Sequence, residues 1–167
     1  REIKEKKIKK ILAEYDYPEV IICNGYSYIT PGSVDDNSKS FYMDPFYEFG
    51  SEFQKGLLSQ KIRHNIVRDM FQFKVRFPLN IQPHLISRTG IDQIKGDIFR
   101  PPFPDHYALN SLLLKTKTWL YHPEKLIVIG VTPSSCGFYV HNNDINSALS
   151  YLGIKIEDTN FLPGSML

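Results

Sequence analysis

Cysteine is nearly missing from this chain. Cys23 and Cys136 are the only two among 167 residues, and they form neither a Cys-x-x-Cys pair nor a Cys/His set with zinc-ligand spacing. Cys23 lies in an apolar run and reads as a buried thiol, and nothing points to a secreted disulfide framework. Long apolar runs are missing too. None approaches the length of a membrane span, and the charged N-terminus lacks the apolar centre of a signal peptide. Charge of one sign is also scarce. The formal net charge is +2, and much of the basic excess sits in the first ten residues, too weak and too local for a nucleic-acid surface. There is no G-x-S-x-G elbow, no P-loop, no dinucleotide fingerprint, no internal repeat and no low-complexity tract. The expectation is a soluble chain of a reducing, cytoplasmic compartment, with no nucleic-acid partner and no membrane span.

What is present is enough for a packed core. Apolar residues make up 42% and charged residues 23%, a balance that argues against disorder. The 11 Phe and 10 Tyr stand against a single Trp. Rings that the core does not take can contact sugars, bases or protein partners. The length is that of one domain, residues 1–167. The chain starts at Arg1 inside a helical pattern and stops in the apolar stretch 161–167, so a fragment of a larger domain is expected.

Residues 2–14 place Ile3, Ile8, Ile11 and Leu12 at helical spacing, an amphipathic surface helix with the run Lys4 to Lys10 on its solvated face. Glu19–Cys23 reads as a buried strand, Asn24-Gly25 as a turn and Tyr26–Thr30 as a second strand. Asp35 and Asp36 fall in a polar loop, and Asp44-Pro45 opens a helix. A longer helix is expected from Ser59 to Phe73. Ile62, Ile66 and Met70 form its apolar line, with Val67 and Phe71 beside it, and Arg63, His64 and Arg68 on other faces. Pro78 and Pro83 bracket an extended segment. His84–Arg88 reads as a short strand and Thr89–Lys95 as a helical turn closed by Gly96. Tyr107–Leu120 reads as a helix broken by His122-Pro123. Leu126–Val131 is continuous and β-branched, hence a central strand. It opens into the loop Thr132–Gly137 at its carboxyl end, where α/β folds place ligands. Phe138–Val140 is strand-like, and Asn143 or Asp144 caps a last helix that runs through Tyr151 and closes at Gly153. The mixture is that of an α/β fold.

The chemistry concentrates in Phe99-Arg-Pro-Pro-Phe-Pro-Asp105-His-Tyr-Ala-Leu-Asn110. Prolines stiffen the approach to a carboxylate at a helix start, where N–H groups and the helix dipole favour its ionised form. So held, Asp105 can accept a proton from a hydroxyl, or it can simply cap the helix. His106 and His141 are candidates for a metal ligand or a substrate contact, His141 being the better of the two for a metal, and both also read as packed or solvated side chains. Ser134, Ser135 and Gly137 can offer hydroxyls and N–H groups to a phosphate or form a plain loop. Nothing ties Cys136 and His141 into a nucleophile–base pair.

Phe103-Pro-Asp105-His-Tyr-Ala-Leu-Asn110, Leu112-Leu-Leu, the strand and loop Leu126–Gly137, Pro18–Asn24 and Leu162-Pro-Gly164 together resemble family-2-type glycosyltransferases of the GT-A fold. The resemblance covers the chain from about residue 10, and only the C-terminal, acceptor-side part of such enzymes. It implies a partial GT-A-like mixed sheet flanked by helices, without the N-terminal nucleotide-binding half. It also implies an inverting transfer of sugar from a nucleotide-sugar donor to a glycan acceptor in polysaccharide synthesis, with Asp105 as the base and His106, Tyr107 and Asn110 on the acceptor side. The family's Mg²⁺ or Mn²⁺ is held by an Asp-x-Asp motif that this chain lacks, and Asp35-Asp36 does not take that role. An acceptor site without a donor pocket should transfer little sugar alone, and self-association would cover an exposed sheet edge. The alternatives are a non-catalytic carbohydrate- or protein-binding module, a decayed remnant of such an enzyme, or a hydrolase pairing Asp105 with His106 or His141.

Overall fold

The structure is a computed structural model that describes residues 5–33, 39–43, 53–72, 74, 80–100, 103–135, 138–139, 142, 144–151 and 153. Asp35, Asp36, Asp44-Pro45, Pro78, Pro101, Pro102, Cys136, Gly137, Val140, His141, Asn143 and the segment 161–167 lie outside them. The fold is α/β, a mixed open sheet flanked by helices. The elements are α1 (Glu5–Glu14), β1 (Val20–Ile29), β2 (Phe41–Met43), β3 (Gly56–Leu57), α2 (Gln60–Phe71), β4 (His84–Ile86), α3 (Arg88–Asp92), α4 (Pro104–Lys115), β5 (Trp119–Val131) and α5 (Ile145–Tyr151). They divide into two compact units, one of residues 1–26 and 44–129, the other of residues 27–43 and 130–167.

In the first unit the strand order is β4-β1-β5-β3. β4 runs antiparallel to β1 with Val20 opposite Ile86, and β3 antiparallel to β5 with Gly56 opposite Tyr121. β1 and β5 run the same way, because Val20 N–H donates to Thr118 C=O (3.2 Å) and, further along both strands, Asn24 Nδ2 donates to Pro123 C=O (3.1 Å). Both faces of this sheet are covered. Val20 and Ile22 point to a core shared with Ile66 and Val67 of α2 and with Leu109, Leu112 and Leu113 of α4, and Trp119 closes it. Ile21 and Cys23 point to the opposite core, which takes Ile11 of α1 and Leu120 and Leu126 of β5. A strand buried on both sides needs an unbroken apolar run, which is what Val20–Cys23 supplies. Cys23 is a free, buried thiol. It donates to Pro83 C=O (3.5 Å), and burial pushes its pKa up to about 12, so it is inert as a nucleophile.

In the second unit β2 pairs antiparallel with the end of β1, with Tyr28 opposite Tyr42 and their ring centroids 5.0 Å apart. Thr30 N–H and Ser33 Oγ both donate to Val131 C=O (3.1 and 3.2 Å). Asp144 Oδ1 accepts the Ser147 N–H (3.1 Å) and caps α5 as expected.

Four expectations are corrected. Asn24-Gly25 is no turn, since β1 continues through it. A Cβ on Gly25 would stand 2.7 Å from Ile127 Cγ1 and 2.9 Å from Ile127 O, so this glycine is required by the approach of β5. The helix expected over Tyr107–Leu120 begins at Pro104 and stops at Lys115. His122-Pro123 then lies within β5, where Pro123 has no N–H for a ladder and its carbonyl accepts from Asn24 Nδ2. Phe138–Tyr139 is helical rather than strand-like, with Asn142 N–H donating to Phe138 C=O (3.0 Å). The fourth correction concerns α2. Its buried positions are Arg63, Ile66 and Val67, so the inward stripe is 63-66-67 and Ile62 is exposed. His64 is exposed, as expected.

Replacing Gly25 with Ala is expected to destabilise the chain by about 1–3 kcal/mol through overpacking against Ile127. Urea unfolding followed by tryptophan fluorescence measures it, and an unchanged midpoint would show that the strands do not approach so closely.

Candidate functional site

Pro104 occupies the first turn of α4, where its missing N–H is harmless. Phe103 is the N-cap residue and supplies no side-chain cap. Asp105 therefore sits inside the first turn and is not the cap. Its half-buried carboxylate accepts the Ile81 N–H (3.3 Å) through Oδ2, which ties the chain ahead of β4 to the start of α4.

The acceptor-side candidates follow on the same helix. His106 is exposed, with its ring 5.7 Å from that of Phe103. Partial desolvation holds its pKa below the ordinary value, and the Asp105 carboxylate opposes this. Tyr107 lies under the Arg100 guanidinium (4.9 Å to the ring centroid), a stacking arrangement of the cation–π kind, and Arg100 is itself fixed by the Lys95 carbonyl (2.8 Å). Asn110 Nδ2 donates to His106 C=O (2.8 Å) and to Met70 Sδ (2.9 Å). Its Oδ1 is buried with no hydrogen-bond partner among the described residues. The helix thus gathers Asp105, His106, Tyr107 and Asn110 within two turns. Ser134 and Ser135 are engaged otherwise: Ser135 Oγ donates to Thr132 C=O (2.8 Å), and the Ser134 and Thr132 hydroxyls bond each other (3.2 Å), so both hydroxyls shape the turn after β5. No group of three or more His, Cys, Asp or Glu side chains that could hold a metal occurs among the described residues.

The opposite end of α4 carries the most extensive polar construction of the first unit, and the sequence reading missed it. The last carbonyls of a helix have no intrahelical partner. Here Arg63, only 5% exposed, turns its guanidinium onto them. Nη1 donates to Leu113 C=O (3.0 Å) and Thr116 C=O, and Nη2 to Lys117 C=O (3.2 Å). A cation at a helix C-terminus also meets the favourable end of the dipole. The N–H groups of the same turn go to Glu19, whose carboxylate accepts from Lys117 N–H, Thr118 N–H (3.2 Å) and Gln93 Nε2. Glu19 N–H closes the set on Thr118 Oγ1 (2.9 Å). Burial lowers the Arg63 pKa and Glu19 opposes it. Beside this turn lies an open groove of about 530 Å³ between the start of α2 and the end of α4. The signal for Arg63 was its position three and four residues before Ile66 and Val67, the spacing of one helix face.

Two more histidines are buried. His84 packs edge-on to Trp119 (5.6 Å) and pairs Nδ1 with Asn80 C=O (3.1 Å), and burial takes its pKa down to about 4. His122 is lowered likewise, by burial first and then by Lys55, against Glu124 and Glu14. Compared with protein-family profiles, with characterised proteins and with solved structures, the chain matches none. Among the described residues no helix is long and apolar enough to cross a membrane.

The buried histidines set an acid limit. The unfolded chain takes up the His84 proton near the ordinary value of about 6.5, while the folded chain refuses it down to about 4. Stability is therefore full above the unfolded value and is lost as pH falls through that window, by at most about 1.4 kcal/mol per pH unit per histidine. Urea midpoints at pH 7, 6, 5 and 4 are expected to fall, and His84→Gln to flatten the decline. A profile indifferent to His84→Gln would contradict the assignment.

Proposed function

We propose that the start of α4 is the acceptor side of an inverting sugar transferase on a GT-A-like sheet, with Asp105 as general base. The observation that supports this is the placement of Asp105: one carboxylate in the first turn of a helix, half-buried, one oxygen tied by the Ile81 N–H, with His106, Tyr107 and Asn110 on the turns that follow. A carboxylate so fixed can take the proton of an acceptor hydroxyl. The hydroxyl oxygen then attacks the anomeric carbon of a nucleotide sugar, the bond to the diphosphate breaks with its electron pair, and the configuration inverts. Exposed His106 and the Tyr107 ring would border the acceptor. The described residues supply no metal-ligand set, so no step is assigned to a metal.

A second reading is favoured by the same Asp105–Ile81 hydrogen bond, which is also a plain structural tie. Under it, this face is a non-catalytic carbohydrate- or protein-binding module.

Asp105→Asn in the full-length protein separates the two. As the base, Asp105 is expected to contribute roughly 10²–10⁴-fold to transfer, with acceptor binding and melting temperature little changed. Near-normal transfer with a lowered melting temperature would leave the structural tie alone. The 167 residues by themselves are expected to turn over little nucleotide sugar, and steady turnover by them would contradict an acceptor-side-only role.

A further inference from the structure

The groove at the far end of α4 lies about 15 Å along the helix from Asp105 and belongs to neither reading above. Its charge is all of one sign. Arg63, Lys115 and Lys117 line it, and no Asp or Glu does among the described lining residues. The groove also holds the N-terminus of α2, a helix of 12 residues. There Ser59 Oγ takes the Ile62 N–H (3.3 Å) and Ser59 C=O the Arg63 N–H (3.1 Å). Gln60 and Lys61 keep N–H groups with no intrahelical acceptor, at the positive end of the dipole. Arg63 is among the residues that line the same groove. It is 5% exposed, and its buried Nε–H has no partner among the described residues. Glu19 shares the turn but its carboxylate is held by the Lys117 and Thr118 N–H groups. The groove is apolar at its rim, where Leu57 is 55% and Leu114 46% exposed.

We infer that this groove binds a small organic anion: a phosphate or carboxylate head at the start of α2, between Lys115 and Lys117, with an apolar body on Leu57 and Leu114. Helix N-termini and lysines favour the head. The volume lies within the range of small-molecule sites, about 300–1,000 Å³. Lys115 and Lys117 are exposed and take no part in the core, so they can be altered without loss of the fold.

The test is a two-dimensional amide NMR titration of the whole chain with phenyl phosphate, inorganic phosphate and phenol. Phenyl phosphate is expected to shift the amides of residues 59–61 and 116–118 saturably, binding roughly tenfold more tightly than inorganic phosphate or phenol. Lys115→Glu with Lys117→Glu should weaken it by roughly tenfold or more, with the remaining spectrum unchanged, and Leu57→Ser should erase the advantage over inorganic phosphate. Benzoate in place of phenyl phosphate distinguishes the two heads. Shifts that do not saturate, that fall elsewhere, or that survive the double charge reversal would overturn the proposal.

Discussion

One turn of backbone, Thr116-Lys117-Thr118, holds the first unit together through opposite charges on its two kinds of polar group. Arg63 takes carbonyls at the end of α4, and Glu19 takes the N–H groups that follow. A helix that ends against a core must satisfy its last carbonyls without water. Leu112 C=O is met by the Thr116 N–H and hydroxyl and by Trp119 Nε1, and Leu113 C=O by Arg63. The turn then delivers Trp119, fully buried, into the core between α2 and α4. Because Arg63 comes from α2, Glu19 from the residue before β1 and Gln93 from just beyond α3, the clamp links four segments far apart in the chain. A buried guanidinium loses hydration. It is retained here because each Nη donates to a carbonyl that would otherwise be unsatisfied.

The apolar elements were legible in the sequence, and the polar construction was not. Val20–Cys23 announced a buried strand by composition, Leu126–Val131 announced a strand of which only Leu126 is buried, and α1, α2 and the Asp144 cap followed from period and capping chemistry. Three of the misreadings share one cause: a local signal overridden by a tertiary contact. Asn24-Gly25 has turn chemistry, yet Gly25 is needed because β5 passes within van der Waals range. His122-Pro123 has breaker chemistry, yet β5 runs through it, with the Pro123 carbonyl accepting from Asn24 Nδ2. Arg63 has surface chemistry, yet it occupies a core position of α2 because its partners are carbonyls at the end of another helix. No periodicity rule sees those partners. The candidate site was legible as a set, because Asp105, His106, Tyr107 and Asn110 are neighbours in sequence. The Ile81 N–H that fixes Asp105 comes from 24 residues away and was invisible.

α4 gives the two functional proposals a common frame. Its N-terminal turn presents a carboxylate restrained by one hydrogen bond, and its C-terminal turn borders a groove lined by cations. The helix between them is anchored by Ala108, Leu109, Leu112 and Leu113, all fully buried, so neither end can shift without disturbing the core. Proton transfer from a hydroxyl needs a carboxylate that stays put, and anion capture needs donors that are fixed before the ligand arrives. Both requirements lead back to the clamp that sets where α4 stops.

A double-mutant cycle on that clamp is the most direct test, with urea unfolding of the parent chain, Arg63→Met, Glu19→Gln and the double variant. Removing Arg63 strands buried carbonyls and should cost about 3–5 kcal/mol, Glu19→Gln less. The double variant should lose at least about 1 kcal/mol less than the sum of the two, since both act on one turn. Losses below about 0.5 kcal/mol for each, or losses that simply add, would contradict the central role given to this turn.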